Sequence, residues 1–208
     1  MNILSYAPIL HLEFDTQAEL GLSMCRIQEF YESSNPELKG KGFSWHKFIK
    51  EHVDDEGKMS YFQDWSGFNF PVDAVWRFNQ LKLADLSPAE QRIIHFVEYH
   101  PVKYIIGNVV GDTETAQHEL VHAYYHMNPE YRAKVTSLIG DHITNSIPLY
   151  QQFVNVFVLC GYSEDVYYDE INAFISCDDT EATLGITIPH EVIEQFVTLR
   201  KQYVPEVL

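Results

Sequence analysis

The sequence predicts an α+β fold that is mostly helical and contains a small sheet. Amphipathic segments that begin at capping residues recur along the chain and fill most of its second half. One stretch rich in β-branched residues, 102–110, has the composition of a strand. Hydrophobic residues make up 46% of the 208 residues and charged residues 21%, so the chain can build a sizeable core.

The first hundred residues are expected to form a mixed, partly irregular region. Helices are expected at four places in it: 15–33, 44–53, 72–81 and 87–100. Asp15 or Thr16 is the expected N-cap of the first helix. Ser44 and Ser87 are the expected N-caps of two others. The aromatic segment "YFQDWSGFNFP" (61–71) is interpreted either as a loop that packs its rings on the core or as a wall of a substrate cleft.

The predicted strand is followed by a polar turn, "GDTET", which starts a helix capped by Asp112 or Thr113. That helix is expected to end at Asn128, because Pro129 follows it. Further helices are expected at 130–145, 148–160, 163–177 and 190–204. The segment 182–189 is interpreted as a short strand or an extended loop.

The charge balance limits the partners that we expect. Acidic residues outnumber basic ones by 30 to 14, which gives a formal net charge of −16. Such a surface repels the phosphates of nucleic acids and the headgroups of anionic membranes, so we expect neither as a partner. A neutral or basic substrate is compatible with this charge.

The cysteines and the apolar segments indicate the compartment. Cys25, Cys160 and Cys177 form no CxxC pair and are expected to be reduced thiols. The apolar N-terminus has no Lys or Arg before it and no small-residue cleavage site, so we do not expect a signal peptide. No apolar run approaches the roughly 18 residues of a membrane span. A cytoplasmic location is expected, with unconventional secretion left open.

Residues 117–126, "QHELVHAYYH", contain an H-E-x-x-H pattern on the helix that follows the strand. His118 and His122 lie four residues apart, so their rings share one helix face about 6 Å apart along the axis. Two imidazoles at this spacing can bind one Zn²⁺, and Glu119 is placed to accept a proton from water. The alternative is a core helix whose histidines only form hydrogen bonds.

A strand, a turn and "HELVH" on a helix resemble the zincin metallopeptidases, over 102–177 of this chain. The resemblance implies a Zn²⁺-dependent peptide hydrolase with His118 and His122 as ligands and Glu119 as the catalytic base. It also implies that the strand before the helix, here within 103–110, is the edge of the sheet. Peptide substrates of zincins pair with that edge as an extra strand.

His126 is not expected to be the third ligand, because it lies eight residues after His118 and about 12 Å further along the helix. Metzincins have a glycine where this chain has Tyr125, so their pattern is absent. His126 is interpreted as a helix-end histidine favoured by the helix dipole, or as a substrate contact. A second H-E string, "HEVIE" (190–194), is interpreted as the solvated first turn of a helix.

Glu170 is the predicted third ligand, because it lies on a largely apolar helix face where a lone carboxylate needs a partner. Asp165 and Asp169 are the alternatives, and Asp169 is expected to point about a quarter turn away, into solvent. The site is similar to that of the gluzincin branch, where a glutamate on a later helix completes a His₂Glu set. The N-E-x-x-S-D signature of thermolysin is not matched, since Phe174 stands at its aspartate position. The group that orients a ligating histidine is therefore unassigned.

In such a site the oxyanion needs a further hydrogen-bond donor; Tyr167 is the candidate, with Tyr168 and His190 as weaker ones. The predicted function is a zinc-dependent metallopeptidase that acts on peptides or proteins. Residues 101–208 form the predicted zincin-like catalytic region and 1–100 a candidate substrate-docking part, within one compact unit. Two alternatives stay open: a catalytically silent zincin-like protein that binds a peptide, and a helical interaction domain without metal. The oligomeric state is not predicted.

Overall fold

The computed structural model describes residues 2–6, 8–177 and 179–207. The chain divides into two compact units, 1–116 and 117–208. The sequence analysis predicts two regions, 1–100 and 101–208, within one compact unit. The observed boundary comes later along the chain, because the strand at 104–109 belongs to the sheet of the first unit.

A mixed sheet organises the first unit. Its strands are β1 (Asn2–Tyr6), β2 (Ile9–Phe14), β3 (Gly67–Pro71) and β4 (Tyr104–Val109). They lie in the order β1-β2-β4-β3, with β2 and β4 parallel and the two outer pairs antiparallel. The small sheet and the predominance of helix confirm the predicted α+β class.

The strand that precedes the H-E-x-x-H helix lies inside this sheet. β4 pairs on one side with β2, where Ile9 is opposite Tyr104, and on the other with β3, where Gly67 is opposite Asn108. The edge position expected for 103–110 is therefore wrong. Because both sides of β4 are already hydrogen-bonded, a peptide cannot join it as an extra strand.

Three of the strands were not predicted. β2 is buried at every position except Glu13, and residues 10–14 alternate between apolar and polar side chains, so the sequence did contain a signal for this strand. The aromatic segment 61–71 is a short helix followed by β3, and not a loop. Its rings do pack on the core as expected, since Tyr61, Phe68 and Phe70 are all buried in the main hydrophobic cluster.

The helices of the first unit cover and flank the sheet. They are α1 (Gln17–Glu32), α2 (Trp45–Glu51), α3 (Tyr61–Asp64), α4 (Val72–Gln80) and α5 (Pro88–Tyr99). Thr16, Ser44 and Ser87 are the N-caps of α1, α2 and α5, as predicted, and each side chain accepts a backbone N–H of the first turn. The buried guanidinium of Arg26 in α1 binds both carboxylate oxygens of Glu90 in α5, at 2.7 and 2.8 Å.

The second unit is helical. Its elements begin with the greater part of α6 (Thr113–Met127), which crosses the boundary, and continue with α7 (Pro129–Ile139), α8 (Ile147–Cys160), α9 (Tyr167–Ser176), α10 (Thr180–Leu184) and α11 (His190–Tyr203). A π-helical turn extends α7 over Gly140–Thr144, and a 3₁₀ turn over Glu164–Val166 precedes α9. Where a strand or extended loop was expected at 182–189, α10 occupies the first three residues and irregular chain the rest.

The packing of α7, α9 and α11 fixes the position of α9 in the second unit. The hydroxyl of Tyr131 in α7 donates to the side chain of Asn172 in α9 at 3.1 Å. The ring of Tyr131 also stacks on that of Tyr203 in α11, with centroids 5.5 Å apart. Among the described helices, none combines the length and the apolar composition needed to cross a bilayer.

Candidate metal centre

The first half of the site is supplied by α6. Asp112 accepts the backbone N–H of Thr115 and so caps the helix at its start, as one of the two predicted caps. At the other end Asn128 stops α6 and caps α7 by accepting the N–H groups of Glu130 and Tyr131. Between these ends His118 and His122 face the same side, with ring centroids 4.9 Å apart.

The second half of the site is Glu170 in the first turn of α9. Its Oε2 lies 4.0 Å from Nε2 of His118, and its Oε1 lies 3.7 Å from Nε2 of His122. One ligand atom from each of the three side chains lies within 4.8 Å of the other two. In the described part of the chain this is the one group of three or more His, Cys, Asp or Glu side chains close enough to hold a metal ion. The structure thus brings together the three residues that the sequence predicts as ligands.

The side chains of His118, His122 and Glu170 are largely buried, which is unusual for a cluster of titratable groups. The side chains of His122 and Glu170 are 3% and 4% exposed, while that of His118 is 15% exposed. Oε2 of Glu170 is buried and has no hydrogen-bond partner among the described residues. A carboxylate oxygen buried in this way is costly unless a cation or a proton compensates it. The donor set of two imidazoles and one carboxylate is the type that binds Zn²⁺ in hydrolases.

The protonation of Glu170 depends on its surroundings. Burial is the main cause that raises the pKa of this carboxyl group to about 8. A positive charge on His122 acts in the opposite direction, whereas the carboxylates of Asp169 and Glu119 repel a further negative charge. Three acidic side chains therefore surround one imidazole, and a divalent cation would offset their mutual repulsion.

The pKa values of His118 and His122 are shifted in opposite directions. Burial lowers the pKa of His118 well below its ordinary value, and His122 adds to this effect. Burial also disfavours charge on His122, but the carboxylates of Asp169 and Glu170 outweigh it and raise the pKa of His122 well above the usual range. A metal ion would therefore bind a neutral His118 directly and displace a proton from the vicinity of His122.

Asp169 lies against the far side of the His122 ring. Its Oδ1 is 3.0 Å from Nδ1 of His122, an ion-pair distance, although the two groups are not aligned as a hydrogen bond. This oxygen is buried, so the expectation that Asp169 points into solvent is wrong. The two nitrogens of one imidazole face the consecutive residues Asp169 and Glu170. Asp169 is thus the candidate for the orienting group that the sequence left unassigned.

Glu119, the predicted base, is buried beside the cluster. It is 6% exposed. Its carboxylate is close enough to raise the pKa values of both His122 and Glu170. This position is compatible with proton transfer at the site.

The aromatic surroundings of Glu170 differ from those that the sequence suggests. Tyr167, the predicted oxyanion donor, is buried, and its ring packs on Phe157 with centroids 5.3 Å apart. The tyrosine whose side chain lowers the pKa of Glu170 is Tyr162. Sequence reasoning missed Tyr162 because it lies in the turn after α8, where no helical periodicity indicates a direction. The ring of Phe174 meets His118 edge-on at 4.8 Å and so restrains that imidazole.

The remaining candidates lie in other environments. His126 is in the last turn of α6, as expected, and its carbonyl accepts a hydrogen bond from Arg132. Asp165 accepts a hydrogen bond from Ser163 at the surface. His190 pairs with Glu194 at 3.3 Å, and both side chains are largely exposed, which confirms the interpretation of 190–194 as a solvated first turn.

Comparisons with known proteins give no relative from which a role could be transferred. No protein-family model matches the chain, and no curated protein or solved structure matches it.

Proposed function

We propose that this protein is a zinc-dependent metallopeptidase of the zincin type, with His118, His122 and Glu170 as the ligands. The observation that supports the proposal most directly is the convergence of these side chains within 4.8 Å in a buried site. The unpartnered Oε2 of Glu170 adds to it, because a buried carboxylate oxygen without a hydrogen bond is compensated by a cation or a proton. The substrate is a peptide or a protein.

A bound Zn²⁺ supplies a polarising charge that lowers the pKa of water towards about 7 and activates a carbonyl group. Glu119 accepts the proton of the attacking water and delivers it to the leaving amine. Phe174 and Asp169 restrain the rings of His118 and His122. We further propose Tyr167 as a donor to the oxyanion, as the sequence suggests, and Tyr162 as the residue that holds Glu170 in place.

The free thiols are consistent with a cytoplasmic location for such an enzyme. Cys25, Cys160 and Cys177 all lack a disulfide partner in the structure. We therefore propose that the protein acts in a reducing compartment.

The test is a pair of measurements on protein purified without chelator: zinc content by elemental analysis, and cleavage of a peptide library. We expect about one zinc per chain, and hydrolysis that a chelator abolishes. Glu119→Gln should retain the zinc but lose hydrolysis by a factor of 100 or more, as expected for removal of a general base. Glu114→Gln is the matched control, because Glu114 is an exposed glutamate in the first turn of the same helix.

A second candidate is a catalytically silent protein that uses the metal site to bind a peptide. It is favoured by the interior position of β4, which removes the strand on which zincins align their substrates. Stoichiometric zinc without cleavage of any library peptide by the wild-type chain would indicate this function. Absence of zinc would instead indicate a helical interaction domain and would contradict both metal-dependent proposals.

A further inference from the structure

The first unit contains a half-open cavity of about 710 Å³ between α5 and the first two strands. Its apolar lining includes Leu10, Leu12 and Ile93, which are almost fully buried, together with Ile3 and Tyr99 at the mouth. Ile3 and Tyr99 are 46% and 70% exposed, so large apolar surface faces solvent here. The volume lies within the range of pockets that bind small molecules.

One cation at this cavity is left without a partner. Arg92, on the face of α5 that lines the cavity, forms no hydrogen bond, ion pair or ring contact with the described residues. The other arginines each have an acceptor: Arg26, Arg77, Arg132 and Arg200. The cavity thus has a guanidinium that no carboxylate of the described residues neutralises.

The two histidines of the same face contact neighbours on α5 or just after it. His95 lies 4.0 Å from the carboxylate of Glu98, and its ring packs on Tyr99. His100 stacks on Phe96 with centroids 4.0 Å apart. Arg92 is the one arginine or lysine among the described residues that line the cavity, and its charge is permanent, so it is the group best suited to neutralise an anion from outside the chain.

We propose that this cavity binds a small amphipathic carboxylate, a medium-chain carboxylic acid whose apolar chain covers Ile3, Leu10 and Leu12 and whose carboxylate pairs with Arg92. Apolar burial supplies the affinity, and the guanidinium selects the anionic head over a neutral one. A net charge of −16 would otherwise repel an anion, which makes a local cation necessary. This site is independent of the proposed metal centre, because all its residues belong to the first unit.

Calorimetric titration of the full-length protein with sodium decanoate, below its micelle-forming concentration, tests the proposal. We expect saturable binding of one decanoate per chain, and binding of 1-decanol at least tenfold weaker. Arg92→Gln should weaken decanoate binding about tenfold, the loss expected for one charge-assisted contact. Ile3→Asp should weaken it to a similar extent by placing a like charge at the mouth of the cavity.

Arg77→Gln is the matched control, since Arg77 is also exposed on a helix of the first unit but pairs with Asp73. It should leave decanoate binding unchanged, and thermal unfolding should confirm that all variants are folded. Equal binding of decanoate by wild type and Arg92→Gln would overturn the proposal. So would equal affinity for decanoate and decanol, absence of saturable binding, or binding confined to a short apolar peptide with a free C-terminus. Zinc content should not change in Arg92→Gln, so this test stands apart from that of the metallopeptidase.

Discussion

Asp169 lies 3.0 Å from Nδ1 of His122, on the side of the ring opposite to the nitrogen that faces Glu170. A carboxylate in this position favours a proton on Nδ1, so Nε2 would be the nitrogen available to a metal ion once the ring has lost its second proton. Two adjacent residues of one helical turn therefore face the two nitrogens of His122: Asp169 faces Nδ1, and Glu170 would share a bound metal with Nε2.

Replacing Asp169 by Asn should lower zinc affinity by 10- to 100-fold, because the amide no longer fixes the tautomer and charge of the His122 ring. Competition with a chromogenic chelator measures this affinity without relying on enzymatic activity. Asp165→Asn is the control, since Asp165 accepts its hydrogen bond from Ser163 at the surface. If both variants bind zinc as tightly as the wild type, Asp169 does not orient His122.

Matched variants distinguish Tyr162, in the turn after α8, from Tyr167, the first residue of α9. Tyr162→Phe removes the hydroxyl that lowers the pKa of Glu170, so we expect a 3- to 10-fold loss of zinc affinity, the size of about one hydrogen bond. Tyr167→Phe should leave zinc affinity unchanged and lower only the rate of hydrolysis, if Tyr167 stabilises the oxyanion. A loss of zinc from Tyr167→Phe but not from Tyr162→Phe would reverse this assignment.

Removing one partner of the buried ion pair between α1 and α5 should destabilise the first unit strongly. Arg26 and Glu90 are each 1% exposed, so Arg26→Met leaves a buried carboxylate without its cation. We expect a loss of about 3–5 kcal/mol in the free energy of unfolding, measured by chemical denaturation. The exposed pair of Arg77 and Asp73 is the comparison, and Arg77→Met should cost less than about 1 kcal/mol. The double variant Arg26→Met/Glu90→Met should recover part of the loss; no recovery would contradict the assignment to the unpaired charge.

A second pair makes the stability of the first unit depend on pH. Nε2 of His52 lies 3.7 Å from Oε1 of Glu29. Burial opposes charge on His52, but Glu29 outweighs it and raises the pKa of His52 above 6.5. Burial likewise opposes charge on Glu29, but His52, with Ser33 and Tyr61, lowers the pKa of Glu29 below 4.5.

The direction in which stability changes with pH follows from the shifts in pKa between the unfolded and the folded chain. The contribution of His52 is complete below pH 6.5 and is lost as pH rises through its raised pKa. The contribution of Glu29 is present above pH 4.5 and is lost as pH falls through its lowered pKa. The pair therefore stabilises most between pH 4.5 and 6.5, by about 1 kcal/mol. Between pH 5 and 9, the free energy of unfolding of the wild type should fall as pH rises, and that of His52→Gln should not show this fall. His95→Gln changes an exposed histidine and should show the same fall as the wild type.

The sequence predicts the three proposed ligands because helical periodicity and burial constrain their positions strongly. Residues four apart on α6 must share a face, and a carboxylate on the apolar face of α9 requires a partner. The caps Thr16, Ser44 and Ser87 were also predictable, since each supplies a side-chain oxygen at the start of an amphipathic segment.

Features that depend on three-dimensional pairing were not predictable. The position of β4 within the sheet depends on the partner strands β2 and β3, and the sequence of β4 contains no signal of their order. The helical spacing of Asp169 and Glu170 predicts that they point in different directions. It does not show that Asp169 faces one nitrogen of His122 and Glu170 the other. Tyr162 follows Gly161, whose positive φ of 82° turns the chain out of α8, so its direction is set by the turn and not by a helix.

The parallel pairing of β2 with β4 joins residues 9–14 to residues 104–109. During synthesis, β2 therefore emerges long before its partner and exposes an apolar strand until residue 109 has left the ribosome. Closing a loop of this length is slow compared with forming a hairpin, so completion of the sheet should limit the folding rate of the first unit. The nascent chain is consequently most vulnerable to aggregation, and most dependent on chaperones, over the interval in which α1 to α5 are being made.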